Sequence, residues 1–398
     1  MLKKIFISII GFVQLASATS LENILERLES DNHILKEKKS KINSSKIDVD
    51  LSNTWSNPVF GIGMNNINID SPEKRDIEAM QTQYITLSQS IPTNGKLELN
   101  REIKEFDLLM NELRYEDNKQ KLKSQVISYS YSIVLQKEKF ELFNKYLENL
   151  SKQKELMNLL YENGKIDQSS LVNLDIKIYK VKLKQQKLLY KIKKEQNNLE
   201  KIVYKKINDI ELPTTITNLK KITSLNFESH PMIMLKKEQI AQQNKKIKLE
   251  NSKKISDLKL TVGYYQREEY DDYFSFNVSI PLSTNGREDM QITKSKIDKD
   301  SLSESLANLK EQLTSTISDL EAKIYTSKKN FELIDEKMIP LNNTLEQSHQ
   351  IHLSTNMMQS LGVYESTNSK YELMLLSNDE KISYFDSLSK LFYFKGEL

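Results

Sequence analysis

The chain has 398 residues, with 58 Lys+Arg against 55 Asp+Glu, a net charge of +3 and no Cys. Near-balanced charge leaves no basic footprint for nucleic acid. The lack of Cys removes disulfides, thiolate metal sites, a Cys nucleophile and a lipidated N-terminal Cys. Only 9 Gly and 7 Pro occur, no GxGxxG or GxxxxGK[ST] is present, and 28% of residues are charged, which favours long helices over a nucleotide-binding α/β fold.

Lys3 and Lys4, the apolar run Ile5 to Leu15 and Ala16-Ser17-Ala18 read as a secretory signal peptide over 1–18, cleaved before Thr19. The run is too short to span ~30 Å of hydrocarbon, which needs ~20 residues. No later stretch reads as a transmembrane helix, so any passage through a membrane would be made by β-structure.

Two strands are expected at about 57–67 and 83–92. In Phe60-Gly61-Ile62-Gly63-Met64 large apolar residues alternate with Gly. In Tyr84 to Ile91, Ile85, Leu87 and Ile91 share one face and Thr86, Ser88 and Ser90 the other. A long helical hairpin over 96–207 follows. Leu122, Val126, Tyr129, Ile133, Phe140, Phe143, Leu147, Leu150, Met157 and Tyr161 keep a heptad spacing. After Gly164 the pattern restarts at Leu171, Leu174, Ile178, Val181, Leu188, Ile192, Leu199 and Ile202. Lys96 to Tyr161 alone would make about 100 Å of helix.

The same order then recurs. Ser90-Ile91-Pro92 returns 189 residues later as Ser279-Ile280-Pro281, and Thr93-Asn94-Gly95-Lys96 returns 191 residues later as Thr284-Asn285-Gly286-Arg287. The inserted pair Leu282-Ser283 accounts for the change. The chain thus divides into tandem repeats, 19–212 and 213–398. The second repeat contains a helix at 229–256, strands at about 258–266 and 273–281, and a helical hairpin over 286–395. In its last strand Phe274, Phe276, Val278 and Ile280 would face lipid, and Ser275, Asn277 and Ser279 water.

Four strands cannot close a membrane barrel, and an open edge in lipid leaves N–H and C=O groups unpaired. Several copies would therefore have to pool their strands in a ring. "LSQSIPTNGK", "VSIPLSTNGR", "HPMIMLKKEQIAQQNKKIKLE" and "YENGKIDQSSLVNLDIKIYK", in this order and spacing, make the chain resemble the TolC-type outer-membrane efflux proteins. The resemblance covers nearly all of the chain after the signal. It implies an α+β fold: a homotrimer with a twelve-strand barrel in outer-membrane lipid, continuing as a long α-helical coiled-coil tunnel across the periplasm. It implies a periplasmic adaptor and an inner-membrane pump of RND or ABC type as partners. It also places Tyr161, Gly164, Lys165 and Ile166, with Asn356 and Met357 of the second hairpin, at an adaptor-docking tip. At the second turn Thr355 stands where the first has Gly164, so Asn356 would supply any left-handed residue.

Asp167, Asp175 and Glu365 lie near the two tip turns. In a trimer they would form rings of carboxylates along a lumen, or they decorate solvated helix faces. Trp55, Tyr84, Tyr264, Tyr265, Tyr270, Tyr273, Phe274 and Phe276 gather about the strands, as a membrane-interface girdle or as ordinary β-structure. His349 and His352 form one i,i+3 pair, short of a metal site. No catalytic constellation stands out, so neither an enzyme nor a cofactor is expected. The function expected is a passive outer-membrane duct of a tripartite efflux pump, exporting small molecules, drugs or metal ions. The alternatives are an exported coiled-coil tether without a channel and the duct of a type I protein secretion system. A periplasmic adaptor is disfavoured, since it would have one helical hairpin and Gly-rich β domains.

Overall fold

A computed structural model describes residues 19–207, 209–214, 216, 227–351 and 357–395, the last stretch by backbone alone over 357–359. The signal-like residues 1–18 and the second tip turn with Asn356 lie outside the described residues, as does the side chain of Met357. The elements are β1 (Thr19–Ser20), α1 (Leu21–Asp31), α2 (His33–Ser52), β2 (Val59–Asn65), β3 (Thr82–Ile91), α3 (Lys96–Glu162), α4 (Gln168–Val203) and β4 (Ile210–Glu211). They continue as α5 (Pro231–Ser252), β5 (Leu258–Gln266), β6 (Tyr273–Ser279), α6 (Arg287–Leu333), α7 (Ile339–Ile351) and α8 (Met357–Lys395). The chain forms two units, one of 36–117 and 228–312, the other of the remaining residues.

The first unit holds a four-stranded sheet in the order β2-β3-β5-β6, antiparallel throughout. Its flanking helices are α2, α5 and the first parts of α3 and α6. Polar ties hold these helices together. Gln242 Nε2 donates to the Ile103 carbonyl (3.0 Å) and to Asp107 (2.7 Å), Gln243 Nε2 to the Ser295 carbonyl (3.0 Å) and Asn111 Nδ2 to Ser45 Oγ (2.6 Å). Hydrogen bonds from Lys237 and Lys310 bring the Glu228 carboxyl down to about 2, joining the start of α5 to α6.

β6 ends at Ser279, short of the expected 281, because Pro281 has no N–H for a ladder. Ile280 therefore follows the strand rather than lying in it. The expected aromatic cluster splits between the two faces. Tyr264, Phe274 and Phe276 share one, while Tyr84, Tyr265 and Tyr273 stack on the other.

In the second unit α3 (from 118), α4 and α8 bury a common seam of Phe143, Tyr146, Leu150, Met157, Leu174, Ile178, Val181, Leu188, Ile192 and Leu375. All but Tyr146 and Leu375 are positions of the expected heptads, which converge once the helices pair. A second cluster gathers Leu135, Ile317, Ile324, Tyr384, Phe385 and Leu391. Three local features depart from a plain hairpin reading. Asn32 breaks α1 from α2, its side chain donating to the Ile202 carbonyl (2.8 Å) and accepting from Leu35 N (3.0 Å). β1 pairs in parallel with β4. Between α6 and α7 the helix takes one π turn, Ile334–Met338, ending two residues before Pro340, whose ring and missing N–H do not fit a regular helix interior.

Candidate membrane sheet and helical tip

The strand register sorts the sheet's side chains. Phe60, Ile62 and Met64 of β2 stand opposite Leu87, Ile85 and Gln83 of β3. Leu87 and Ile85 face Val262 and Tyr264 of β5, which in turn face Phe276 and Phe274 of β6. Directly paired residues share a face, so one apolar face runs unbroken across all four strands. It is also uncovered: Phe60 is 67% exposed, Ile62 73%, Phe274 77% and Phe276 68%. Water-soluble chains rarely leave such a patch bare.

The opposite face carries Gly61, Gly63, Thr86, Ser88, Ser90, Thr261, Gly263, Ser275, Asn277 and Ser279. It is wet in chemistry, with Ser88 and Thr261 hydroxyls bonded at 2.9 Å. Gly63 makes room there for the Tyr84 ring, which lies where a Cβ would stand. Phe274, Phe276 and Val278 are thus on the exposed apolar face, and Ser275, Asn277 and Ser279 on the polar one. Among the described residues no helix is long and apolar enough to cross a membrane.

At the first helical tip α3 closes on Gly164, in the left-handed region at φ 64°. Gly164 N donates to the Tyr161 carbonyl (2.9 Å) and Lys165 N to the Leu160 carbonyl (2.8 Å). This pair of bonds is a Schellman closure, which wants Gly at its left-handed position. Tyr161 is 44% exposed and Lys165 is exposed. Ile166 differs from the expected exposed tip residue: it packs, half-buried, against the apolar seam of α3 and α4, because it is the first apolar side chain to return from the turn.

The carboxylates considered for a lumen ring have local work. Asp167 caps α4, accepting from Ser170 N (3.0 Å), Ser170 Oγ (2.6 Å) and Ser169 Oγ (3.0 Å). Those bonds hold its carboxyl below the usual range. Asp175 pairs with Lys154 at 2.5 Å. Glu365 is exposed, one heptad before Glu372.

That spacing reveals a feature the sequence reading missed. Glu365, Glu372, Asp379 and Asp386 recur every seven residues on α8, and Lys177, Lys184 and Lys191 every seven on α4. Lys177 pairs with Glu372 at 3.1 Å, and Lys191 and Asp379 line one groove. Glu372 also accepts from the Tyr146 hydroxyl. Burial pushes the Glu372 carboxyl up, but the Tyr146 and Lys177 bonds outweigh it and the group sits below its usual value. Such a carboxylate adds stability above its unfolded pKa, near ~4.3, and that stability is lost as the pH falls through the lower native value. Tyr146→Phe should therefore lower the melting temperature at pH 7 and converge with the parent protein in acid. Parallel melting curves at both pH values would show that the bond contributes nothing.

Among the described residues no cluster of three or more His, Asp or Glu could hold a metal, and His352 lies outside them. The sheet thus has one bare apolar face and, in β2 and β6, two open edges. Residues 24–203 match the outer membrane efflux protein family. In fold the chain is similar to the Campylobacter jejuni CmeC outer membrane channel, with a TM-score of 0.76, 14% identity, and 94% of this chain and 85% of that one covered. It is likewise similar to the Neisseria gonorrhoeae MtrE outer membrane channel in its open state, with 0.77, 11%, and 95% and 89% covered. A third similar structure is CusC, studied for folding and transmembrane channel formation, with 0.77, 13%, and 95% and 92% covered. Comparison with curated proteins finds no match in sequence. The matched stretch is 180 of the chain's 398 residues, and over nearly the whole chain the likeness to these channels is one of fold.

Proposed function

We propose that the protein is the outer-membrane channel of a tripartite efflux pump, a passive duct reaching from the outer membrane into the periplasm. The observation that carries this reading is the apolar face that crosses all four strands between two unpaired edges. In lipid such edges must be closed. Three copies pool twelve strands, above the eight of the smallest transmembrane barrels. Phe274, Phe276 and Val278 then face lipid, and the Ser, Thr, Asn and Gly face lines the pore. Energy comes from an inner-membrane pump of RND or ABC type through a periplasmic adaptor, and the cargo is whatever small molecule, drug or metal ion that pump delivers.

Membrane fractionation followed by unheated gel electrophoresis tests the reading. A heat-modifiable trimer in the outer membrane, conducting in planar bilayers, is the expected result. A soluble monomer would overturn it.

The adaptor docks at the tip about Tyr161, Gly164 and Lys165, with Asn356 and Met357 contributing from the second hairpin. Gly164→Val forces a β-branched residue into left-handed backbone, at a local cost of about 1–2 kcal/mol. Lys165→Glu reverses a rim charge, which acts mainly on association. Both variants are expected to insert as trimers yet lose adaptor crosslinking and export. Normal crosslinking in both would move the docking site away from this turn.

A further inference from the structure

The tandem repeat leaves one contact made within the chain and its counterpart unmade. β3 and β5 are neighbours, and the elbow that leads from β3 into α3 grips the elbow that leads from α5 into β5. Thr93 N donates to Asp257 Oδ1 (3.0 Å), Thr93 Oγ1 to the Ser256 carbonyl (2.9 Å) and Asn94 Nδ2 to the Ser252 carbonyl (3.0 Å). Lys96, only 7% exposed, donates to Asp257 Oδ1 and to the Ile255 carbonyl, both at 2.6 Å.

Both halves of this grip exist a second time. Thr284-Asn285-Gly286-Arg287 follows β6 as Thr93-Asn94-Gly95-Lys96 follows β3, and Gly286 and Gly95 are left-handed at φ 68° and 69°. α2 ends at Ser52 as α5 ends at Ser252, each hydroxyl donating to the carbonyl three residues back (2.7 and 2.8 Å). β6 and β2, however, are the two edges of the sheet. Thr284–Arg287 and Asn53–Pro58 are accordingly exposed, and Thr284 turns its hydroxyl to its neighbour Asn285.

The chain-length differences between the repeats support a match between these two halves. The β6–α6 connection is two residues longer than its counterpart, through Leu282-Ser283. The path from Ser52 to Gly61 is two residues shorter than the path from Ser252 to Gly263. Gly61 and Gly263 are equivalent, opposite Thr86 and Ser275. The two differences cancel only if the second elbow meets the first.

Side-chain chemistry agrees. Six residues before Gly263 stands Asp257, and six before Gly61 stands Trp55, the chain's one Trp, 54% exposed. In the same step Lys96 becomes Arg287. An indole offers a guanidinium no carboxylate, but it offers a flat π face, on which Arg stacks better than Lys.

Resting on the ring proposed above, we infer that Thr284–Arg287 of one copy grips Ser52–Trp55 of the next. Asn285 donates to the Ser52 carbonyl, and the Arg287 guanidinium lies on the Trp55 ring. The ion pair inside the chain is thus replaced by a cation–π contact between copies.

The absence of Cys makes a clean test. Purified Ser52→Cys/Asn285→Cys protein, treated with a short bismaleimide and denatured, should run as a ladder of dimer and trimer. Ser252→Cys/Asn94→Cys should stay at the monomer position, because its link is within one chain. Trimers by light scattering with no ladder would overturn the grip and leave the ring standing. Monomers by light scattering would overturn both. For the stacked pair, Trp55→Ala and Arg287→Ala should each lower the temperature at which trimers dissociate, and the double variant should dissociate no lower than the weaker single. Additive shifts would overturn the stacking.

Discussion

Phe276→Arg is expected to abolish assembly in the membrane. A Lys or Arg at the bilayer midplane on a barrel's lipid face costs roughly 2–4 kcal/mol, and a ring repeats that cost in every copy. Phe276 is 68% exposed beside Val262 on the apolar face, with no polar neighbour across the strand. Asn277, one residue on, lies on the polar face opposite Thr261. Asn277→Arg should therefore assemble normally and alter single-channel conductance. Heat-modifiable trimer in the outer-membrane fraction is the readout. Equal tolerance of the two substitutions would show that the sheet is not in lipid, or that its faces are reversed.

Leu150→Ala should give a large loss of stability in the helices. Leu150 is 0% exposed, in the seam shared with Met157, Leu174 and Ile178. Truncating a buried Leu to Ala costs about 2–5 kcal/mol, the spread depending on how far the surroundings collapse. Leu159, nine residues along the same helix, is 52% exposed, and Leu159→Ala should stay within about 0.5 kcal/mol. Denaturant unfolding of the two variants checks this, and similar midpoints would mean that Leu150 is not in the seam.

The elements with a strict period could be read from sequence. Ile85 and Leu87, or Phe274, Phe276 and Val278, declare a two-faced strand, and the Leu and Ile heptads of α3 and α4 declare a seam. The left-handed Gly164 was readable as well, because a lone Gly between two heptad runs has few other uses. Features set by partners elsewhere in the chain were hidden. Asn32 breaks a helix only because the Ile202 carbonyl is there to receive it. Tyr204 takes left-handed backbone at φ 56° without being Gly. The fate of Ile166 depended on which side of the turn the seam lay. The carboxylates at Glu372, Asp379 and Asp386 did carry a signal, a repeat of seven matching that of Lys177, Lys184 and Lys191.

The sheet's strand parity has a consequence for how copies are counted. With four antiparallel strands, β2 and β6 run in opposite directions. In the ring proposed above, the last strand of one copy thus meets the first strand of the next antiparallel, whatever the number of copies. Two copies would already reach eight strands, enough for a small barrel. In such a ring the strands are indifferent to stoichiometry, and the proposed count of three rests on the helices, through the angle at which neighbouring hairpins pack. A lesion in the sheet decides whether a ring enters the membrane. A lesion on the outer faces of the helices decides how wide that ring is.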